Sequence, residues 1–268
     1  MLLNKKKFYI GVDCEGVACA VGVPGQNLGD GENYKFAKRQ ATLEANAAAK
    51  ALFEMGAEEV IVWDNHSTGV NLDYTLLDKR CKIALGSGHK GRFPRIDETF
   101  GGVLFIGYHA RENTRESVLA HTYSSVAFQY YKVNGQEVGE MEVDASFAGL
   151  YHVPVIFVSS DDKAIIQARK SFPWIETVIT KDSLSWNSAI SKHPEAVCDE
   201  IYERVKIACE RIDEMECYCF SEPLHIEIRY KRMDAANGAA LFDTNGVPFG
   251  FKDAFTREGI VSSITCLF

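Results

Sequence analysis

Three short apolar runs in this chain are each followed by residues that commonly bind metal ions. The runs span 8–12, 60–63 and 103–107, and they are followed by Asp13 and Glu15, by Asp64 and His66, and by His109. Short runs rich in β-branched and aromatic residues are typical of buried parallel strands. Because ligands bind at the carboxyl ends of such strands, these side chains should meet in one crevice. The sequence therefore predicts an α/β fold, with a mostly parallel sheet flanked by helices and a hydrolytic metal site at the strand ends.

The first half of the chain alternates strands and helices. Residues 34–55 form an amphipathic pattern that predicts a helix ending before Gly56, and the run 60–63 follows it directly. Such strand–helix–strand units build parallel sheets. Further strands are predicted near 82–85 and over 153–158. Asp161 should cap a helix that begins near Lys163.

The remaining segments carry fewer residues that could take part in catalysis or bind metal. Asn134-Gly135 predicts a hairpin between 128–133 and 137–138, and a helix is expected over 142–151. Residues 194–210 predict an amphipathic helix, 223–230 a half-buried antiparallel strand, and 252–268 a closing helix.

The expected organisation is a metal-binding α/β catalytic domain over 1–180 and a smaller C-terminal α/β part over 181–268. The boundary is placed between residues 175 and 191, and one continuous domain is the alternative.

Charge and composition exclude several classes of protein. The net charge is -8 and no basic patch stands out, which argues against a nucleic-acid partner. No stretch is long enough to span a membrane, and residues 1–5 lack the apolar core of a signal peptide. None of the eight cysteines forms a CxxC pair, so we expect free thiols and a cytoplasmic location.

Asp13 and Glu15 are two residues apart, so on an extended segment both side chains face the same way. Cys14 would face the opposite way and serve as a packing residue. On this segment alone, a polar strand exit with Gly16 as the turn is the competing explanation. The histidines after the other two runs favour a metal, because buried carboxylates are costly unless they are paired or bind a metal. A nucleotide-binding oxidoreductase is disfavoured because no GxGxxG follows the first run.

The chain resembles the zinc-dependent D-aminopeptidases, a self-compartmentalising family that cleaves peptides of D-amino acids. The resemblance rests on Val12-Asp13-Cys14-Glu15-Gly16, Asp64-Asn65-His66-Ser67, Gly107-Tyr108-His109-Ala110-Arg111, His121 and Val138-Gly139-Glu140. It begins near Phe8 and is clearest over residues 8–162. Cys14 and Asn65 replace a commoner Met and Ser. Thr122-Tyr123 also departs from the family pattern, so a difference in the substrate pocket is expected.

The resemblance implies a set of site residues. The metal ligands would be Asp13, Glu15, His66, His109 and Glu140, with two zinc ions per subunit and Asp13 shared between them, and His121 would be the catalytic histidine. Five ligands exceed the three that one catalytic zinc needs. Taken alone, Glu140 is better explained as an acidic residue at a helix start, and His121 as a solvated loop histidine.

The resemblance also implies a function: hydrolysis of short peptides with a free N-terminal D-amino acid, by a ring-like homo-oligomer of ten subunits. Two alternatives stay open. One is another two-metal hydrolase that acts on phosphoesters or amides, which substrate profiling would separate. The other is a non-catalytic, metal-stabilised assembly protein. This alternative would be favoured if the metal-loaded protein showed no activity on peptides.

Overall fold

The computed structural model describes residues 3–29 and 31–267. The strands are β1 (Lys7–Val12), β2 (Glu59–Asp64), β3 (Lys82–Ala84), β4 (Phe100–Ile106), β5 (Phe128–Val133), β6 (Gln136–Glu137), β7 (Val155–Asp161), β8 (Glu176–Ser185), β9 (Ser188–Ser191), β10 (Leu224–Tyr230), β11 (Gly250–Asp253) and β12 (Thr256–Val261). The α-helices are α1 (Glu32–Glu54), α2 (Glu140–Gly149), α3 (Asp162–Ser171), α4 (Pro194–Glu210) and α5 (Met233–Gly238).

The main sheet has seven strands in the order β3-β2-β1-β4-β7-β8-β9, and all neighbours are parallel except β8 and β9. Strands β4 and β7 are buried at every position, which explains why their sequences are nearly continuous apolar runs. Successive side chains of β1 point to opposite faces of the sheet, so they pack into two different cores. Phe8 and Ile10 pack with α1 and α4 on one face of the sheet, and Tyr9 packs with α2 and α3 on the other.

The second sheet has five strands in the order β11-β12-β10-β5-β6, and its neighbours are antiparallel. Apolar residues of β5 and β10 pack in the same core as α2. The predicted fold class, a mostly parallel sheet flanked by helices with a smaller second part, is confirmed.

The second sheet takes β5 and β6 from the first half of the chain, and residues 176–191 form β8 and β9 of the main sheet. The division into 1–180 and 181–268 stays a prediction, and its dividing position lies inside β8.

Most predicted elements form close to their expected bounds. The Asn134-Gly135 hairpin, the antiparallel strand β10 and the helix α4 are confirmed, and Asp161 caps α3 through Lys163 and Ala164. None of the described helices combines the length and the apolar character needed to cross a bilayer.

The predicted closing helix over 252–268 is wrong. Its described part forms β11, β12 and a short 3-10 turn at Ile264–Leu267, while Phe268 lies outside the described residues. The β-branched residues Thr256, Ile260 and Val261 favour a strand, and β12 pairs with β10 along its whole length. Asp253 accepts a hydrogen bond from the Phe255 amide, which fixes the turn that a helix would have to replace.

Candidate metal centre

The ends of three neighbouring strands bring the predicted side chains together. Asp13 directly follows β1, His66 lies two residues after β2, and His109 lies three residues after β4. These strands are adjacent and parallel, so their carboxyl ends share one edge of the sheet. Glu140 reaches the same edge as the first residue of α2.

The backbone holds the exits of β1 and β4 in direct contact. The amide of Gly16 donates to the carbonyl of Gly107 at 2.7 Å. A Cβ at Gly107, whose φ is +70°, would lie 2.3 Å from the carbonyl oxygen of Asp13. A Cβ at Gly16 would lie 1.9 Å from the carbonyl oxygen of Tyr108. Only glycine fits at these two positions.

Two groups of ligand atoms form at this edge: Asp13, Glu15 and His66, and His109, His121 and Glu140. In the first group, His66 Nδ1 lies 2.7 Å from Asp13 Oδ1 and 3.2 Å from Glu15 Oε2. In the second, His109 Nε2 lies 3.3 Å from Glu140 Oε1. All six side chains are largely buried.

Asp13 connects the two groups. Its Oδ1 faces His66, while its Oδ2 lies 3.5 Å from His109 Nε2. One carboxylate therefore presents an oxygen to each group, which is the arrangement expected of a carboxylate shared between two metal ions.

The electrostatics of the site favour bound positive charge. Burial opposes ionisation of Asp13, yet His66 and His109 hold the pKa of its carboxyl well below the usual range. Burial also opposes the charged form of His109, but Glu140, Asp13 and Glu15 raise its pKa to about 10. His109 Nε2 is buried and makes no hydrogen bond within the part of the chain that the structure describes. Buried carboxylates and imidazoles with an unsatisfied ligand atom fit a divalent metal ion.

His121 comes from the loop between β4 and β5. Its ring stacks on that of His109, with centroids 3.9 Å apart and planes within 9°. His121 Nδ1 lies 2.8 Å from the carbonyl oxygen of Leu119. Since a carbonyl only accepts, Nδ1 carries the proton and the neutral ring keeps a free lone pair on Nε2. This Nε2 lies 4.0 Å from Glu140 Oε1.

A cavity of about 300 Å³ opens onto both groups. Its lining includes Glu15, His66 and His121 from the site, and Asn27, Leu28, Gly29, Tyr34, Ser67, Leu119, Ser125 and Trp186 around them. The side chains of Asp13, His109 and Glu140 lie deeper, so the cavity has an acidic and imidazole-bearing floor with partly apolar walls.

The six side chains predicted for the site, those of Asp13, Glu15, His66, His109, His121 and Glu140, lie together at this edge of the sheet. Their roles as ligands or catalyst stay predictions. Tyr123, one of the two residues that depart from the family pattern, contacts a proposed ligand: its amide donates to Glu140 Oε1 at 2.8 Å. Its expected effect on the substrate pocket also stays a prediction.

The tip of the β8–β9 hairpin braces the site, and no pattern in the sequence pointed to it. The Trp186 carbonyl accepts from the Leu119 amide, and its indole donates to the Ala120 carbonyl, which holds the loop that carries His121. Asn187 donates to the carbonyls of Val21 and Gln26, which holds the loop that follows β1. Trp186 and Asn187 belong to no motif with a defined spacing, so nothing in the sequence marks them.

A buried ion pair supports the residues beside His66. Arg92 Nε lies 2.6 Å from Asp144 Oδ1, and a second guanidinium nitrogen lies 2.9 Å from Oδ2. Arg92 also donates to Asn65 at 2.7 Å, and Tyr108 donates to Asp144 at 2.7 Å. Asp144 is fully buried. The pair thus fixes Asn65 and Tyr108, which flank the histidines of the two groups.

We expect Arg92→Met to lower the free energy of unfolding by about 3–5 kcal/mol, because Asp144 would be left as an uncompensated buried charge. Arg232→Met is the matched control, since Arg232 pairs with Asp234 in a similar two-pronged geometry on the surface. That loss should stay within about 1 kcal/mol. Denaturant unfolding at fixed protein concentration measures both variants. Equal losses would contradict the role given to Arg92.

Known proteins share both the sequence and the fold. A D-aminopeptidase family model matches residues 6–247. A D-aminopeptidase of Bacillus subtilis (strain 168) is 31% identical over 213 residues, which cover 78% of this chain and 76% of that protein. The solved structure of the Zn-dependent D-aminopeptidase DppA from Bacillus subtilis, a self-compartmentalizing protease, matches with a TM-score of 0.87 at 27% identity. That match covers 97% of this chain and 93% of the DppA chain.

The family model spans most of the chain and includes every residue of the two ligand groups. The resemblance inferred from the motifs is therefore confirmed. The chain belongs to the D-aminopeptidase family.

Proposed function

We propose that this protein is a zinc-dependent aminopeptidase that hydrolyses short peptides with a free N-terminal D-amino acid. The observation that carries the proposal is the geometry of Asp13, which turns one oxygen to His66 and the other to His109. Membership of the D-aminopeptidase family supports the reaction class, and the Zn-dependent relative DppA supports the metal.

Five residues are proposed to hold two zinc ions. Asp13, Glu15 and His66 would hold one ion, His109 and Glu140 the other, and Asp13 would be shared. Carboxylate oxygen and imidazole nitrogen are ordinary zinc ligands. When bound, zinc acidifies a coordinated water molecule and polarises a carbonyl group.

His121 is proposed to move the proton in the reaction. The Leu119 carbonyl fixes its tautomer, so the free lone pair sits on Nε2. The stacking on His109 holds the ring in place. Because His121 also lines the cavity, Nε2 can accept a proton there and return it to the leaving amine.

The cavity suits a small peptide. Its volume of about 300 Å³ is at the lower end for small-molecule sites. A free α-amino group can bind a metal ion held at the floor of the cavity or a nearby carboxylate, which favours substrates with a free N-terminus. With the amine and the carbonyl fixed, the substrate side chain can leave the α-carbon in only two directions. We propose that the direction taken by the side chain of a D-residue meets open cavity and that the other direction meets the wall.

The test compares kcat/KM for D-Ala-D-Ala, L-Ala-L-Ala and N-acetyl-D-Ala-D-Ala on the zinc-loaded protein. We expect D-Ala-D-Ala to be preferred over the L-isomer by on the order of 10²-fold, the effect of misplacing a reacting group by about 1 Å. The acetylated peptide should react slowly because it has no amine to bind. Equal rates for the two isomers would reject D-specificity, and fast cleavage of the acetylated peptide would reject aminopeptidase action. A metal-loaded protein that cleaves none of them would favour an assembly protein.

We also propose that the protein forms a ring of ten subunits in a reducing cytoplasm. The self-compartmentalizing relative DppA supports an assembly, and the eight cysteines, which are all free, suit a reducing compartment. Light scattering on the purified protein measures the mass of the assembly. A monomer at micromolar concentration would contradict this proposal.

A further inference from the structure

Lys181 is a buried cation directly behind the loop that carries Glu15. It belongs to β8 and is 1% exposed. Its Nζ donates to three backbone carbonyls, those of Glu15 at 2.5 Å, Val17 at 2.8 Å and Ala20 at 2.6 Å. The neighbouring Thr180 hydroxyl donates to the Gly16 carbonyl at 2.6 Å. Two successive residues of β8 therefore hold the loop over residues 15–20.

The contacts of Lys181 use the whole capacity of its side chain. An ammonium group has three donors, and here each donor meets a carbonyl of the same loop. Burying such a charge is costly, and burial lowers the pKa of Lys181 to about 8. A fold that needed only a filled position in β8 would be served better by an apolar residue. The carbonyls that accept hydrogen bonds from Lys181 all belong to the loop that begins at Glu15. The buried charge therefore serves to fix the conformation of that loop.

We propose that Lys181 is a positioning residue that sets the metal affinity of the Asp13–Glu15–His66 group by fixing the loop over residues 15–20. Lys181 contacts the main chain of Glu15, not its carboxylate, and thus leaves that carboxylate free to face His66. The inference rests on the proposed metal-binding role of this group. The effect should be largest at this group, because His109 and Glu140 are carried by other segments.

The chain offers a matched control. Arg257 in β12 is also a buried cation that donates to three backbone carbonyls, those of Phe249, Ala236 and Ala239. It fixes the C-terminal segments of the second sheet and contacts none of the six site residues. Removing either cation removes a comparable set of buried hydrogen bonds, but only Lys181 acts on a ligand loop.

The experiment measures zinc binding by competition with a chromogenic chelator, with elemental analysis of the dialysed protein. We expect Lys181→Met to weaken the binding of one of the two zinc ions by about 10–100-fold, the usual effect of losing a group that orients a ligand. Arg257→Met should bind both ions as tightly as the parent protein. Lys181→Arg should recover part of the affinity, since a guanidinium can still donate to the carbonyls. Thr180→Val keeps the shape of the side chain and should weaken the binding of the same ion by about fivefold, the effect of losing one hydrogen bond.

The outcomes separate the inference from the proposed function. Parent protein that fails to bind two zinc ions would overturn the proposed metal centre itself. Parent protein with two ions, together with unchanged binding in a folded Lys181→Met, would overturn only the positioning role. If Lys181→Met does not fold, Thr180→Val decides, and unchanged affinity in that variant overturns the inference. Equal weakening by Arg257→Met would also overturn it, because the effect would then be general destabilisation.

Discussion

Replacing Asp13 with alanine should leave the protein without tightly bound zinc and at least about 10³-fold less active. Asp13 faces both ligand groups, through Oδ1 to His66 and Oδ2 to His109. Its loss removes a ligand from each proposed ion. Metal ions contribute several kcal/mol to stabilising developing charge, and about 1.4 kcal/mol corresponds to tenfold in rate.

Elemental analysis after dialysis and a peptide assay measure the two effects in parallel. Asp161→Asn is a suitable control, because Asp161 is a buried carboxylate at the end of β7 that caps α3, a role asparagine also fills. That variant should keep both ions and nearly full activity. An Asp13→Ala protein with its full metal content would refute the shared role of Asp13.

His121→Ala should keep both zinc ions and the fold, while its kcat falls by about 10²–10⁴, the usual contribution of a general acid or base. The geometry makes this a sharp test. His121 Nε2 is 4.0 Å from Glu140 Oε1, and its ring lies against that of His109, so a ligand role is the natural competitor. The two roles predict different metal contents for the same variant.

The measurement combines single-turnover rates with metal analysis on the same preparation. His152→Ala, at an exposed surface position, should change neither quantity. Loss of one zinc ion from His121→Ala would make His121 a ligand and would refute the catalytic assignment. Retention of both ions with an unchanged kcat would show that His121 takes no part in proton transfer.

The part of the site that could be predicted from sequence is the part set by strand geometry. Asp13, His66 and His109 stand after apolar runs, and parallel strands bring such positions to one edge of the sheet. Glu140 and His121 reach the same place through a helix start and a loop. No periodicity predicts where those segments lie in space, so only the family resemblance could supply these two residues.

The supporting residues could not be predicted because their partners are distant in the sequence. Lys181 meets carbonyls more than 160 positions earlier, and Arg92 meets a carboxylate 52 positions later. In the sequence, Lys181 is an ordinary polar residue outside every motif. The error over 252–268 has a similar origin. Thr256–Val261 forms a strand because it pairs with β10, and this pairing adds to the strand preference of its β-branched residues. The distant partner is not visible in the local sequence.

The two glycines at the exits of β1 and β4 have a consequence for the spacing of the proposed zinc ions. Asp13 and Glu15 extend from one exit and His109 from the other, and the main chains of these exits touch with no room for a side chain at Gly16 or Gly107. The separation between the two ligand groups is therefore set by contact between backbones. Substitutions among the surrounding side chains can alter the affinity for each ion or the shape of the cavity while leaving that separation almost unchanged. We therefore expect substitutions in the cavity walls to alter substrate preference without rebuilding the proposed metal centre.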